Sequence, residues 1–475
     1  MTKDKFYKIV LYIKDLINGT EFDGKTYVVG GAVRDLLMNK EIKDIDICVE
    51  LPNGGIDFAK WMEENKHTHG SVVTYPTYGT AMFRMKEYPE VEIECVQTRK
   101  EQYKDKNSRN PETEYGTLYE DAMRRDLTIN SLFLNISTNQ IVDCCGGLND
   151  IKNHVIRVTS TPEIVYEDDA LRILRCVRFF SRFHAENNDW DIEEDTLKGI
   201  WYKVDRLSII TKERIADELN KMLMCDDPVC AMRVLVDIGA MRYVIPELCE
   251  AVEMEQNKYH IGTVFEHTMK VLEMVVKRPY WGSSQLEVRM AALLHDIGKI
   301  KVKTIDENGN VHFYKHELAS AELTETILRR LKYSNDFIDD VKFLVKNHMR
   351  TKQWGDYCEH MKDKTLRKLQ YECGFRRFVR LSILIDADNK SHAEGYCLPN
   401  QVQMMWKRTN EMVDEGTDMF DYKLPIDGND VMENKGIKPC KEVKEYLDYA
   451  MKLVYNNPKI TRTELLKHVK GYKIK

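Results

Sequence analysis

Apolar and polar positions alternate most clearly between residues 27 and 49, where they predict a strand, a glycine turn, a short helix and a second strand. The turn holds Gly30 and Gly31, and glycine lets a backbone approach a ligand closely with its N–H groups exposed. The apolar positions of the second strand are Ile45, Ile47 and Val49. Asp44 and Asp46 occupy the alternate positions, so we expect both carboxylates to project from one face of the strand.

This carboxylate pair indicates metal chemistry. Two fixed carboxylates beside a phosphate-binding turn can hold two Mg²⁺ ions for an in-line phosphoryl displacement. The alternative is a solvated acidic edge, which is the commoner explanation of an isolated D-x-D pattern. The glycine turn ahead of the pair, with Arg34 and Asp35 just after it, keeps the metal interpretation open.

A third carboxylate can come from a later strand. Periodic segments predict helices over 1–18 and 56–66 and strands over 71–75, 81–85 and 91–99. In the last strand Glu92 and Glu94 alternate with apolar residues, and either can face the Asp pair. A polar strand face is the alternative for both.

Residues 163–184 predict one helix with a charged stripe. Asp169, Arg172, Arg175 and Arg178 recur at every third position, and residues at this spacing lie close together on a helix. One such residue is usually part of a surface salt bridge. Three arginines and an aspartate in register indicate an anionic partner instead.

Residues 245–390 predict a helical region with spaced metal-ligating side chains. These are His267, His295, Asp296, His316, His348 and Asp386. A single buried histidine is more often a core residue than a ligand, but imidazole and carboxylate together suit first-row transition metals.

Composition narrows the class of protein. A chain of 475 residues, 43% hydrophobic and 31% charged, is typical of a soluble globular protein with two to four domains. We expect no membrane span, and the scattered cysteines predict free thiols in a reducing cytoplasm. The net charge of −6 argues against a protein that coats nucleic acid. Residues 435–475, however, hold 11 Lys and Arg against 4 Asp and Glu, a basic tail suited to an RNA backbone.

The strings GGAVRD and DIDICV resemble the head of the class II tRNA nucleotidyltransferases, the CCA-adding enzymes, and of the related bacterial poly(A) polymerases. The resemblance implies that Asp44 and Asp46 are catalytic Mg²⁺ ligands. It selects Glu94 as the third acid, because the family places that acid five residues before an arginine, here Arg99. It also implies nucleotide binding by Gly30, Gly31, Arg34 and Asp35.

Two further segments extend the resemblance. Residues 121–136 resemble the RRDFTINAL motif, which implies nucleotide contacts for Arg125, Asp126 and Asn130, with Arg124 beside them. The string EDDALR resembles the EDxxR motif, which implies that Asp169 and Arg172 read the incoming base and that Arg175 and Arg178 lie nearer the phosphates. By the same resemblance, the loop over 100–118, around Arg109, helps the enzyme change from adding C to adding A, and Glu213, Arg214 and Glu218 are structural.

The order H…HD…H…H…D resembles the HD phosphohydrolase superfamily. It implies one divalent transition metal on His267, His295, Asp296 and Asp386, and a second on His316 and His348. Lys299 would contact a phosphate. The implied activity is that of a phosphatase or 2′,3′-cyclic phosphodiesterase.

These observations predict an α+β protein with a nucleotidyltransferase-like mixed β-sheet head followed by an all-α neck, HD domain and tail. The expected domains are a catalytic head (1–150), a base-reading neck (151–240), an HD domain (241–390) and an RNA-binding tail (391–475).

The expected function is template-independent addition of CCA to the 3′ end of tRNA from CTP and ATP, in the cytoplasm, with no DNA or membrane partner. CC addition, A addition and poly(A) polymerisation remain alternatives. So does an HD phosphohydrolase with a nucleotide-sensing head. An RNA-binding protein without turnover would not need the Asp44 and Asp46 pair.

Overall fold

A computed structural model of the chain describes residues 1–102, 112–257, 259, 262–278 and 286–474. The chain divides into two compact units, an N-terminal unit over Met1–Val244 and a C-terminal unit over Ile245–Lys475. The finer division into four domains stays a prediction. Within the described ranges, no helix is long and apolar enough to cross a membrane. All twelve cysteines are free thiols, as predicted.

The N-terminal unit begins with a helix and a mixed sheet and ends in helices. In chain order its elements are α1 Lys3–Ile17, β1 Thr26–Val29, α2 Gly31–Leu37, β2 Ile45–Val49, α3 Gly54–Glu64, β3 Val73–Tyr75, β4 Thr80–Arg84, β5 Glu92–Gln97, β6 Arg99–Gln102, β7 Glu112–Tyr115, α4 Leu118–Met123, β8 Leu132–Asn135, β9 Ile141–Asp143, α5 Gly147–Asn153, β10 Val155–Ile156, α6 Pro162–Asp168, α7 Leu171–His184, β11 Asp191–Ile192, α8 Glu194–Lys203, α9 Lys212–Leu223, α10 Pro228–Asp237 and α11 Met241–Val244.

Seven of the described strands form a mixed sheet in the order β3-β4-β5-β2-β1-β8-β9, and β6 with β7 and β10 with β11 form separate two-stranded pairs. β2 lies inside it, antiparallel to β1 and parallel to β5. Its apolar positions Ile45, Ile47 and Val49 are fully buried in the main core, against α1 and α3. Cys48, on the other face, is buried in a smaller cluster with Tyr27 and Phe133. Because both faces are covered beyond Asp46, the polar edge of β2 is confined to Asp44 and Asp46.

The predicted strand, turn, helix and strand over 27–49 are confirmed. Helix α1 also follows its sequence pattern, because its buried residues recur every three or four positions, the spacing of one helix face. They are Phe6, Ile9, Val10, Ile13 and Ile17.

Two sequence predictions for this unit need correction. The prediction of a single helix over 163–184 is wrong, because α6 ends at Asp168 and α7 begins at Leu171. Asp169 lies between them with an extended backbone (φ −149°, ψ 102°), so it is not on the stripe of α7. The predicted loop over 100–118 is paired at its ends, where β6 and β7 form an antiparallel ladder. Its centre, around Arg109, lies outside the described residues.

The C-terminal unit is mostly helical, as predicted. In chain order its elements are α12 Pro246–Val252, α13 Val264–Val276, α14 Leu286–Leu294, α15 Lys299–Val302, β12 Thr304–Ile305, β13 Val311–His312, α16 His316–Arg330, α17 Asn335–Asn347, α18 Asp363–Lys390, α19 Gln401–Asp414, α20 Gly428–Lys435, α21 Lys441–Asn456 and α22 Arg462–Gly471. β12 and β13 pair as a small antiparallel hairpin within this helical region.

Helix α18 carries a kink at Gly374, whose backbone (φ 61°, ψ 168°) is not helical. A positive φ costs a residue with a side chain more than it costs glycine. Before the kink, the buried Arg367 donates from Nε to the Thr417 carbonyl (3.1 Å) and from Nη1 to the Tyr455 carbonyl (3.2 Å). One end of α18 is thereby tied to the C-terminal helices.

Candidate active site and metal centre

The predicted carboxylates come together at one edge of the sheet. β2 and β5 run parallel, and their register places Asp46 opposite Glu94. Asp44 immediately precedes β2 and lines the same cavity as Asp46. Glu92, the alternative third acid, is instead exposed and pairs with Arg84 at 3.3 Å.

Negative charge is crowded at this edge. Burial raises the pKa of Asp46 to about 6, with the charges of Glu94 and Asp44 acting in the same direction and Arg125 opposing them. Carboxylates held this close favour a cation between them, because a divalent ion removes the repulsion that raises the pKa. The oxygen-only donor set is the kind that Mg²⁺ prefers. The residues present therefore fit the implied metal.

The glycine turn borders the same cavity. Gly30 has a positive φ of 74° and directly precedes α2. Its N–H donates a hydrogen bond to the Leu132 carbonyl at 3.1 Å. The sequence analysis predicted N–H groups exposed for a ligand, but this one is used within the backbone. A side chain at Gly30 would place its Cβ 3.7 Å from Nη1 of Arg125. The turn thus brings the backbone close to the arginines of the site.

The cavity measures about 880 Å³ and is strongly basic. Among the described residues, nine arginines and five carboxylates line it. The carboxylates are Asp44, Asp46, Glu101, Asp126 and Asp169. Guanidinium groups match phosphate oxygens in a bidentate geometry, so a surplus of arginine suits a polyphosphate.

Asp121 holds two of these arginines and was missed by the sequence analysis. It is fully buried on α4, and one of its oxygens accepts from Nε of Arg124 at 3.0 Å. The other oxygen accepts from Nε and Nη2 of Arg125 at 3.0 and 2.8 Å. Burial opposes ionisation of Asp121, but the two guanidinium charges outweigh it and lower its pKa. The i, i+3 and i, i+4 spacing was the available sequence signal.

Asp126 and Asn130 connect the head to α7. Asp126 accepts from Nε of Arg175 at 2.6 Å and from Asn130 at 3.2 Å. Burial opposes ionisation here too, but the charge of Arg175 and the hydrogen bonds lower the pKa of Asp126 to about 2. Asn130 also accepts a hydrogen bond from Arg34, whose Nε donates to Asp35 at 2.9 Å. These predicted nucleotide-binding residues form one connected network.

The predicted base-reading pair lies in the same cavity, although its two residues are held separately. Asp169 accepts from Nη2 of Arg214 at 2.6 Å, and Arg214 itself lines the cavity. Arg172 is buried and donates to the carbonyls of Arg124 (2.6 Å) and Val165 (3.2 Å). The expectation that Arg214 is purely structural therefore overlooked its position.

The other arginine of the α7 stripe is also fixed. Arg178 donates from Nε to the buried Glu218 at 2.7 Å and lies over the Phe179 ring. Its guanidinium nonetheless lines the cavity.

A second cluster lies in the C-terminal unit. His267, His295 and Asp296 offer ligand atoms within 4.8 Å of one another, and so do Asp296, His316 and His348. All five residues are buried. Asp296 is shared, with Nε2 of His295 3.3 Å from one oxygen and Nε2 of His316 3.2 Å from the other. This arrangement fits the two neighbouring metal positions that the sequence predicted.

The histidines are oriented for ligation. Nδ1 of His295, His316 and His348 lies 2.9, 2.9 and 2.6 Å from a backbone carbonyl three residues earlier. Such a bond fixes Nδ1 as the protonated nitrogen and leaves Nε2 for a metal. Burial lowers the pKa of His267 to about 4 and that of His348 to about 3, so both are neutral, as ligation requires.

The prediction that Asp386 is a ligand of the histidine cluster is wrong. Its carboxylate pairs with Arg278 and, at 3.1 Å, with Lys390. Asp388, two residues later on α18, lies 3.2 Å from Nε2 of His267 and 4.0 Å from Nε2 of His295. Residues two apart on a helix point about 200° away from each other, so only one of the two can face the cluster.

Three family models match successive parts of the chain. The Poly A polymerase head domain matches residues 26–157. The model described as "Probable RNA and SrmB- binding site of polymerase A" matches residues 189–252. The HD domain matches residues 264–377. The carboxylate edge and most of the histidine cluster fall inside the first and third of these.

Curated relatives match over a longer stretch. The Multifunctional CCA protein of Pasteurella multocida (strain Pm70) is 31% identical over 333 residues, which span 68% of this chain and 74% of the relative. The chain belongs to the family of multifunctional CCA proteins. The A-adding tRNA nucleotidyltransferase of Deinococcus radiodurans is 32% identical over 239 residues, 49% of this chain and 52% of the relative.

The fold of this family member also matches a solved structure along its length. The Bacillus stearothermophilus CCA-adding enzyme, crystallised with CTP, superposes with a TM-score of 0.69 over 98% of this chain and 96% of the other, at 20% identity. This confirms the predicted fold class, a mixed-sheet head followed by helices.

Proposed function

We propose that the protein builds the CCA end of tRNA from CTP and ATP without a nucleic-acid template. The observation that carries this proposal is the carboxylate edge of Asp44, Asp46 and Glu94 at the rim of an arginine-rich cavity. Membership of the multifunctional CCA family supports it. So do the solved structures of similar CCA-adding enzymes in complex with CTP, with ATP and with tRNA.

In the proposed reaction, the 3′-hydroxyl oxygen of the RNA bonds to the α-phosphorus of the nucleotide. The bond from that phosphorus to the pyrophosphate oxygen breaks, and the hydroxyl proton is lost. Asp44 and Asp46, together with Glu94, would hold Mg²⁺, which would neutralise developing charge and lower the pKa of the attacking hydroxyl. Arg125 and Arg175, fixed by Asp121 and Asp126, bind the triphosphate oxygens and orient the leaving group.

Base selection is assigned to Asp169 and Arg172. A carboxylate accepts hydrogen bonds and a guanidinium donates them, so the two can match the Watson–Crick edges of C and of A. Arg172 already uses part of its guanidinium on two carbonyls, which holds it in place for reading. The partner of Asp169, Arg214, must then shift or share its contact when a base arrives.

A second candidate is A addition alone. The Deinococcus radiodurans relative is named an A-adding enzyme, and its match spans 49% of this chain. The deciding experiment incubates tRNA lacking its CCA end, or ending in CC, with CTP and ATP separately and together, and sequences the 3′ ends. Full CCA on the first substrate supports the proposal. Growth only of tRNA ending in CC would make the protein an A-adding enzyme.

For the C-terminal unit we propose a metal-dependent phosphohydrolase. The imidazoles of His267, His295, His316 and His348 together with the Asp296 carboxylate suit a divalent transition metal, which would supply an activated water. Lys299 is buried and lies 2.6 Å from Asp296, at the edge of a cavity of about 520 Å³, where it can bind phosphate. In the reaction, water adds to phosphorus, the ester P–O bond breaks and the alcohol oxygen takes a proton. Loss of this activity in His295→Ala, with CCA addition retained, tests the assignment.

The basic C-terminal segment is proposed to contact the tRNA backbone. Lys467, His468 and Lys473 line a shallow cavity there, beside the stacked rings of Tyr449 and Tyr472, whose centroids lie 3.8 Å apart. Salt-dependent weakening of tRNA binding on Lys467→Glu supports this surface.

A further inference from the structure

The cavity beside the histidine cluster has an aromatic rim that metal binding does not explain. His312 and Tyr314 follow one another at alternate positions around the end of β13, and both line the cavity. Their rings are nearly parallel, with an interplanar angle of 9° and centroids 5.1 Å apart. The Tyr314 side chain is 71% exposed. A large ring held flat and left open to solvent is available to stack on a ligand.

Local contacts hold this pair in position. Nε2 of His312 lies 3.0 Å from the Asp306 carboxylate in the turn between β12 and β13. Phe313, which separates His312 and Tyr314 in the sequence, is buried, and its ring centroid lies 5.3 Å from the Lys299 ammonium. The lysine assigned to phosphate is therefore fixed to the same short segment as the aromatic pair.

At the side of the cavity nearest the histidine cluster, the charged groups favour an anion. Lys352 Nζ lies 3.0 Å from Asp388, and Lys299 Nζ lies 2.6 Å from Asp296, so two ammonium groups flank the metal ligands. A ligand that contacts both the lysines and the aromatic pair would carry a phosphate and a flat ring. The volume of about 520 Å³ falls in the range of small-molecule sites.

We propose that His312 and Tyr314 form a stacking platform for the base of a nucleotide whose phosphate lies at the histidine cluster. This inference rests on the proposed phosphohydrolase function of the cluster and adds the residues that select its substrate. The nucleotide is either a free nucleoside monophosphate or the 3′-terminal nucleotide of an RNA, because both present the same base and phosphate.

The test compares hydrolysis of AMP and of ribose 5-phosphate by the full-length protein loaded with Mn²⁺, Co²⁺ or Ni²⁺. The two substrates carry the same phosphate ester and differ by the base. An RNA oligonucleotide ending in a 3′-phosphate forms a third arm, and kcat/KM for it against adenosine 3′-phosphate separates the two sources. Tyr314→Ala is compared with Tyr314→Phe, which keeps the ring. Tyr357→Ala is the matched control, since Tyr357 is similarly exposed, at 66%, and does not line the cavity.

We expect Tyr314→Ala to lower kcat/KM for AMP by roughly 5- to 150-fold, the range for loss of one base–aromatic stack. Ribose 5-phosphate should change less than twofold, and Tyr314→Phe and Tyr357→Ala should behave as the unmodified protein. Equal effects on both substrates, or none, would overturn the platform while leaving the phosphohydrolase in place.

Binding covers the case in which neither substrate is hydrolysed. Calorimetric titration with AMP, with CTP present to occupy the head, should then show weaker binding to Tyr314→Ala than to Tyr357→Ala. Equal binding to the two variants would refute the platform. CCA addition, assayed on the same preparations, reports separately on the head.

Discussion

Replacing Asp121 by Asn tests whether a buried carboxylate sets the position of Arg124 and Arg125, which line the cavity proposed to bind the triphosphate. In the native protein each oxygen of Asp121 accepts from one guanidinium, Arg124 on Oδ1 and Arg125 on Oδ2. The amide retains one acceptor oxygen and turns an NH₂ group toward the other arginine. One guanidinium therefore loses its acceptor and faces a donor in a site with little solvent.

The size of the effect follows from these contacts. Two charge-assisted hydrogen bonds are lost, each worth about 1.5–3 kcal/mol. Leaving one partner of a buried ion pair alone costs about 3–5 kcal/mol, so the free energy of unfolding should fall by that order. If about 1.4–2.8 kcal/mol of this appears as misplacement of Arg124 and Arg125, kcat/KM should fall about 10- to 100-fold. The value of kcat/KM should fall by the same factor for CTP and for ATP, because both carry the same triphosphate.

The assay pairs urea unfolding with steady-state addition of C and of A. Asp150→Asn is the matched control, because Asp150 is also buried and pairs with an arginine, Arg157, at 3.2 Å, but that arginine does not line the cavity as Arg124 and Arg125 do. It should lose stability while keeping kcat/KM within twofold for the folded protein. Unchanged stability and activity in Asp121→Asn would refute the reasoning. So would equal activity losses in the two variants, which would make the effect one of stability alone.

Three further predictions concern the metal carboxylates, the base-reading pair and the histidine cluster. Asp46→Asn should abolish nucleotide addition and leave tRNA binding largely intact, and substantial addition at saturating Mg²⁺ would remove Asp46 from the metal site. Arg172→Ala should relax discrimination against UTP and GTP by about five- to hundredfold, the cost of one buried hydrogen-bond partner, whereas Arg178→Ala should weaken all four nucleotides alike; a uniform loss in Arg172→Ala would contradict base reading. Asp388→Asn should lower the bound transition metal measured by mass spectrometry, and Asp386→Asn should retain it; the reverse result would restore the ligand expected from the sequence.

The sequence predicted the head well because period-two alternation is a direct consequence of strand geometry. In β2, the buried positions Ile45, Ile47 and Val49 left little freedom for where Asp44 and Asp46 point. The break between α6 and α7 could not be predicted in the same way. Residues 168–171 contain no glycine or proline, and the extended conformation of Asp169 is accompanied by its contact with Arg214, which is distant in sequence.

The misplaced ligand on α18 has a different origin. The order of histidines and aspartates in the sequence is satisfied equally by Asp386 and Asp388, since motif order does not specify a helix face. The buried residues Leu381, Leu384 and Ile385 precede Asp388 by seven, four and three positions, which is the spacing of one face. Asp386 is equally buried and has the apolar Val379 and Ile383 seven and three positions before it, so helical periodicity in the sequence alone could not have selected Asp388.

Helix α18 limits where the C-terminal unit can be truncated without loss of its structure. The match to the HD domain ends at residue 377, yet Asp388, the aspartate of α18 that lies beside the histidine cluster, is eleven residues further along the same helix. Before the Gly374 kink, Arg367 is buried against carbonyls of Thr417 and Tyr455. A fragment cut at the end of the family match would lose this candidate metal ligand and would leave the buried Arg367 guanidinium without the Thr417 and Tyr455 carbonyls. Helix α22 is needed as well, because its buried Leu465 and Val469 pack in the core of the C-terminal helices, so a fragment expressed on its own should include the whole unit Ile245–Lys475.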